Sequence, residues 1–287
     1  MLPARAGTLV ASTDVSVEHV HFERDWLSLE EIGYRSTAAA LSDLAAQGAD
    51  PDGVLVAVGA PGETPASDFA ELMGGAGRAA ADSSAHVVGG DLSRCAQWIV
   101  AVTVIGHAER PVFRSGAASG DGLWVTGVLG GARAALESFR SGHAPEPDAR
   151  IRFASPAPRI GAGRWLAAHG ARAMLDLSDG IAADAGHLAS ASGIEAEIVL
   201  EQLPLHHAAV TVALELRADP VIFAAKGGED YELLVALPGS FGDAGSAAFE
   251  QATGLTLTRV GTCHRGSGVR LDFRGSRLAL TGFDHFG

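Results

Sequence analysis

Short apolar runs of strand length alternate along the chain with longer stretches of helical pattern. Residues 8–13 (TLVAST), 54–58 (VLVAV) and 98–106 (WIVAVTVIG) read as strands, and His86-Val87-Val88 is a further one running into Gly89-Gly90-Asp91. Ser28-Leu29-Glu30-Glu31 has the form of a capping box, and the alanine-rich segment after it predicts a helix to Ala46 or Gln47, stopped by Gly48. A second helix is predicted with Thr64 as its N-cap and Pro65 in its first position. The polar Gly/Ser/Ala-rich segment 108–120 reads as a linker, followed by a strand at 123–126 and a helix near 129–140. Segment 141–158, with Pro145, Pro147, Pro156 and Pro158, reads as a loop. A helix over 158–169, a strand at 173–177 and a helix from 180 to about 192 come next. Strands at 195–200, 231–237, 256–261 and 269–273, with helices near 206–217 and 240–252, complete the pattern. Interleaved strands and helices predict an α/β (α+β) protein, here divided into domains 1–112 and 113–287.

Composition narrows the chemistry. The 287 residues carry 34 acidic and 21 basic side chains, a net charge of −13 with histidine neutral. Lys226 is the only lysine, and there is no asparagine. A P-loop cannot be built around Ala225-Lys226-Gly227, and a protein-kinase site lacks its strand lysine and its metal-binding asparagine. The acidic balance argues against nucleic acid as a partner. Cys95 and Cys263 have no metal-ligand spacing and read as free thiols of a reducing compartment. The longest uncharged stretch, 95–108, is too short for a membrane helix, and no signal peptide is visible, so a soluble cytoplasmic protein without a membrane partner is expected. Any phosphate chemistry must then use arginine, backbone N–H groups, or metal ions held by carboxylates.

Carboxylates recur beside small or hydroxyl residues at predicted strand ends. They are Ser12-Thr13-Asp14, Ser42-Asp43, Gly89-Gly90-Asp91, Asp176-Leu177-Ser178-Asp179 and Gly227-Gly228-Glu229-Asp230. Ligands gather at strand ends in α/β proteins, and carboxylates with hydroxyls are the hard donors that Mg²⁺ uses beside substrate phosphates. Each has a structural alternative. Asp43 fits a solvated helix face, Asp14 and Asp91 fit turns, and Asp179 fits the N-cap of the helix from 180. Pattern alone supports a multi-metal phosphate site and no more.

The ordered motifs resemble those of thiamine-monophosphate kinases. STDVSVEHVHF at 12–22 resembles that family's TTD-x-x-VEG-VHF segment, and GYRSTAAALSDLAAQGADP at 33–51 its SDLAAMGA-P helix. VVGGDLS at 87–93 resembles IGGDTT, and the stretch at 112–132 the family's R-x-GA-x-x-GD and VTG-x-LG run. MLDLSDGIAAD at 174–184, GGEDYELL at 227–234 and the closing GFDHF at 282–286 extend the likeness over nearly the whole chain. The resemblance implies the two-domain aminoimidazole-ribonucleotide-synthetase-like fold and a homodimer whose N-terminal domains pair in a β-barrel. It implies ATP-dependent phosphorylation of thiamine monophosphate to thiamine diphosphate by direct transfer, with several Mg²⁺ ions, no phospho-enzyme, and K⁺ as a further candidate ion. By motif, Ser12, Thr13, Asp14, Asp43, Asp91, Asp176 and Asp179 would hold metal. Gly89, Gly90, Asp91, Arg114 and Ser178 would face ATP, with Asp91, Asp179 and Arg114 in the catalytic roles. His21, Glu229 and Phe283 would contact thiamine monophosphate.

There are departures. His19 stands where the family motif has glycine, and Gln47 where it has methionine. No glycine-rich G-D-D-A segment, whose first aspartate is a family metal ligand, stands between Met1 and Ser12, so the ligand set read here lacks it. A non-catalytic nucleotide- or thiamine-phosphate-binding relative and another ATP-using enzyme of the superfamily are the alternative readings.

Overall fold

A computed structural model of the chain describes residues 5–280. Its first half is β1 (Thr8–Val17), α1 (Leu29–Ala46), β2 (Asp50–Ala60), α2 (Ala66–Asp82), β3 (Val87–Arg94) and β4 (Ile99–Ala108). The four strands form one sheet in the order β1-β4-β2-β3, antiparallel except for the parallel β2–β3 pair. After the linker come β5 (Gly122–Thr126), α3 (Gly131–Arg140), α4 (Pro147–Ala154), α5 (Ile160–Ala168), β6 (Ala173–Asp176), α6 (Ile181–Ser192) and β7 (Glu195–Val199). Then follow α7 (His207–Glu215), α8 (Pro220–Ala225), β8 (Leu233–Leu237), α9 (Gly242–Thr253), β9 (Leu257–His264), β10 (Gly268–Phe273) and β11 (Ser276–Leu278). These strands form a seven-stranded sheet, β11-β10-β7-β9-β5-β8-β6, in which only β10–β7 is parallel.

Helix α1 is the centre of the molecule. Ser28 and Glu31 close the expected capping box at its start. It is buried almost throughout because neighbours press on several sides. Gly75 of α2 lies so near that a Cβ there would stand 1.8 Å from the Glu30 carbonyl oxygen, and one at Gly163 of α5 would stand 1.9 Å from that of Ala45. Only glycine permits such backbone approach. The apolar core around Leu41, Leu44 and Val102 continues into Ala134, Phe153 and Phe223, so packing crosses the boundary expected near residue 112.

Three local expectations change. Pro65, rather than Thr64, occupies the N-cap of α2 and makes no side-chain cap bond. Segment 141–158 contains α4, because Pro147 sits in the first turn, where its missing N–H costs nothing. Asp179 does not cap α6; Gly180 takes that position at φ +99°, which leaves the Asp179 side chain free for the cleft described below.

Candidate active site

Strand alternation decides what β1 offers. Val10, Ser12 and Asp14 share the face turned toward α1, whereas Thr13 points to the opposite face and meets Thr103 Oγ1 at 2.8 Å. Thr13 is therefore carried away from the position expected of a metal ligand. Ser12 Oγ donates to Asp43 Oδ2 at 2.5 Å, tying β1 to α1. Asp176 ends β6 on the other side, so one carboxylate each from β1, α1 and β6 converges.

The electrostatics follow from that convergence. Burial, then the Asp43 charge, pushes Asp14 up to about 6. Asp176 is pushed up to about 7 by burial first, then by Asp43 and Asp14. Like-charged oxygens brought together in a half-dry setting call for a cation, and hard oxygen donors of this kind fit Mg²⁺. Asp179 follows three residues after Asp176; with Asp184 and His187 it can bring three ligand atoms within 4.8 Å of one another. The Asp179 N–H donates to Asp184 Oδ2 at 3.1 Å, which fixes the turn that presents Asp179.

Two clefts meet at these carboxylates. The larger, about 560 Å³, contains Asp14, His21, Ser178, Asp179 and Glu229; the smaller, about 440 Å³, contains Ser12, Gln47, Phe113 and Ser115. Asp43, Arg114 and Asp176 line both. The Val17 N–H donates to His21 Nδ1 at 3.1 Å, which orients the imidazole. Glu229, at φ +64°, is ion-paired with Arg35 of α1. Such a backbone conformation in a non-glycine residue is costly and is held by its surroundings. Beneath it, Asp230 accepts the Gly130 N–H at 2.9 Å, and Glu232 is gripped by Arg152 at 3.0 Å, Arg159 at 2.8 Å and Thr126 at 2.7 Å.

Other expected residues lie elsewhere. Gly89, Gly90 and Asp91 are on β3, the edge strand at the far side of the sheet from β1, and line neither cleft. Three strand spacings of about 4.8 Å put Asp91 roughly 14 Å from Asp14. Asp91 is exposed there and accepts only from Ser93 Oγ, at 3.1 Å, among the described residues. Phe283 lies outside the described residues. Trp26, Arg133 and Lys226 also line the larger cleft, although the sequence motifs assign none of them to the site. The signal for Trp26 was present, since an aromatic five residues after His21 sits beside the motif already singled out.

Comparison with known proteins identifies the family. Residues 3–108 match the family model for the AIR synthase related protein, N-terminal domain. A curated thiamine-monophosphate kinase of Mycobacterium tuberculosis is 38% identical over 83% of this chain and 73% of its own length. The Halobacterium salinarum thiamine-monophosphate kinase is 37% identical over 99% of this chain and 96% of its own. This chain belongs to the thiamine-monophosphate kinase family. A solved structure of AaThiL complexed with AMPPCP and TMP has a TM-score of 0.87 and 32% identity, covering 97% of this chain and 87% of that one. The thiamine-monophosphate kinase fold thus extends over both sheets. The hydrogenase maturation protein HypE, at 17% identity and a TM-score of 0.82, shares the fold alone. Among the described residues no helix is long and apolar enough to cross a membrane.

Proposed function

We propose that the protein transfers the γ-phosphoryl group of ATP to thiamine monophosphate, giving thiamine diphosphate and ADP. The observation that carries this reading is the junction of two clefts at Asp43, Arg114 and Asp176. Two phosphate-bearing substrates need one place where their phosphates meet, and this junction offers carboxylates for metal and a guanidinium for phosphate oxygen. The family to which the chain belongs supports the choice of substrates.

In this reading the acceptor lies in the larger cleft, with His21 and Glu229, and the nucleotide in the smaller. An oxygen of the acceptor phosphate attacks the γ-phosphorus as the bond to the β–γ bridging oxygen breaks, and ADP leaves. Arg114 holds phosphate oxygens at the meeting point, and Ser178 and the Asp179 turn shape the wall. Asp14, Asp43, Asp176 and Asp179 would hold Mg²⁺, which when bound neutralises charge on the phosphates.

The chain also supplies grounds for a homodimer. The face of the four-stranded sheet turned away from α1 exposes Leu9 (72%) and Val15 (49%) beside Thr13. A second copy packed there would cover this apolar face, and Asp91 would serve a site only through such an assembly. Analytical ultracentrifugation tests that part: a monomer at micromolar concentration contradicts it.

ADP release, measured with each component omitted in turn, tests the activity. Turnover that requires both thiamine monophosphate and Mg²⁺ is expected. Equal ADP release without thiamine monophosphate would overturn the substrate assignment.

A further inference from the structure

The larger cleft has a cationic end that the family motifs do not account for. Arg133, in the first turn of α3, and Lys226, closing α8, both line it. A Cβ at Gly227 would stand 3.3 Å from Arg133 Cβ and 3.5 Å from its Cδ, so the arginine stem lies against the residue next to Lys226. The Arg133 guanidinium covers the Phe223 ring at 4.5 Å and donates from Nη1 to the Phe223 carbonyl at 2.7 Å. Neither Arg133 nor Lys226 makes an ion pair among the described residues; Glu137, one turn beyond Arg133, is paired with Arg140 at 3.2 Å and still favours the Arg133 charge. Arg133 is half-buried, and burial pulls its guanidinium below the ordinary arginine range. Two cations outside any ion pair among the described residues, one of them partly desolvated, offer an anion charge-assisted hydrogen bonds.

The position selects the anion. The loop after Lys226 touches the metal-side turn, since a Cβ at Gly228 would stand 2.4 Å from the Ser178 carbonyl oxygen. Arg114 reaches both clefts, but Arg133 and Lys226 line only the larger one. We propose that Arg133 and Lys226 form a phosphate-recognition pair that holds the phosphate monoester of the acceptor substrate. The identity of that acceptor rests on the proposed function; the existence of an anion subsite does not.

Lys226 is the only lysine, which makes the test specific. The probe is pyridoxal 5′-phosphate, an aldehyde carrying a phosphate monoester. The Lys226 amine adds to its carbonyl carbon and water leaves, giving an imine. Borohydride then delivers hydride to the imine carbon, and nitrogen takes a proton from water, fixing a secondary amine. Peptide mapping separates this label from one on the N-terminal amine. Labelling at Lys226 is expected to slow at least fivefold with thiamine monophosphate or inorganic phosphate, and not with thiamine. Unchanged labelling under saturating phosphate, or equal protection by thiamine, overturns the proposal. In the kinetic arm, Lys226→Ala and Arg133→Met should each raise the KM for thiamine monophosphate at least fivefold and leave the KM for ATP within twofold. An unchanged acceptor KM in an active enzyme defeats this pair while the proposed function stands. A wild-type protein without turnover defeats the function, yet phosphate protection of Lys226 would still establish the subsite. Lys226 is exposed, so its substitution leaves folding intact.

Discussion

Arg35 of α1 is buried and ion-paired with Glu229, which lines the larger cleft from the loop between α8 and β8. The same guanidinium lies 4.1 Å from the centre of the Phe153 ring and donates to the Phe153 carbonyl oxygen. One side chain thus ties α1, α4 and the loop that carries Glu229 together. Glu229 was expected to touch substrate; the structure shows that it also has this structural partner. Arg35→Met should therefore destabilise the fold by about 2–4 kcal/mol, the lower part of the range reflecting the solvent access that Glu229 retains. Urea denaturation measures it, and a loss below 0.5 kcal/mol would contradict the role given to Arg35.

His19 occupies the left-handed region at φ +67°, with Nδ1 2.8 Å from Glu23 Oε2. The glycine of the family motif would take this conformation without penalty. His19→Gly is expected to stabilise the protein by about 0.5–1 kcal/mol, because the relieved strain exceeds the weak exposed contact with Glu23. A thermal melt reads the shift, and a fall in Tm would show that the histidine contact dominates.

Asp230 sits in the protein interior, and burial pushes its carboxyl up to about 8, only partly offset by the Gly130 N–H. The folded chain then binds this proton more tightly than the unfolded chain, whose carboxyl titrates near 3.9. Its contribution to stability is complete below about pH 4 and is lost as pH rises through about 8. Asp230→Asn keeps the acceptor for Gly130 and should flatten this part of the profile. Denaturation midpoints at pH 5, 7 and 9 decide the matter; a variant with the same slope as the wild type would exclude Asp230 as the source.

Asp176→Asn and Asp179→Asn should each lower turnover at least ~100-fold, the scale of a lost electrostatic contact in the transition state. Removing the Asp176 charge also relieves repulsion with Asp43 and Asp14, so the metal-free Asp176→Asn protein should melt no lower than the metal-free wild type. Near-wild-type turnover in both variants would remove these residues from the site.

Much of this was legible in the chain because it is local. The capping box at Ser28 and Glu31 and the stop at Gly48 need only neighbouring residues. α4 is masked by the four prolines of 141–158, which read as breakers, while Pro147 occupies the one helical turn that tolerates it. α8 had a readable start in Asp219-Pro220, where Asp219 Oδ1 accepts the Val221 N–H at 2.9 Å. Adjacent strand residues face opposite sides, and the Thr13 side chain accordingly meets Thr103 on the face opposite to that of Asp14. Arg133 and Lys226 were not legible, because they meet only through the packing of α3 against α8. Asp91 carried the motif, yet its distance from Asp14 depends on the strand order β1-β4-β2-β3, which no local pattern specifies.

In the proposed reaction a new phosphoanhydride bond forms on thiamine monophosphate at the junction of the two clefts. Phosphorus-31 NMR of the full chain with ATP and thiamine monophosphate follows that bond directly. Thiamine diphosphate resonances should grow in step with those of ADP when Mg²⁺ is present, and chelation of the metal should stop both. ADP accumulating with inorganic phosphate, and no thiamine diphosphate, would contradict the account.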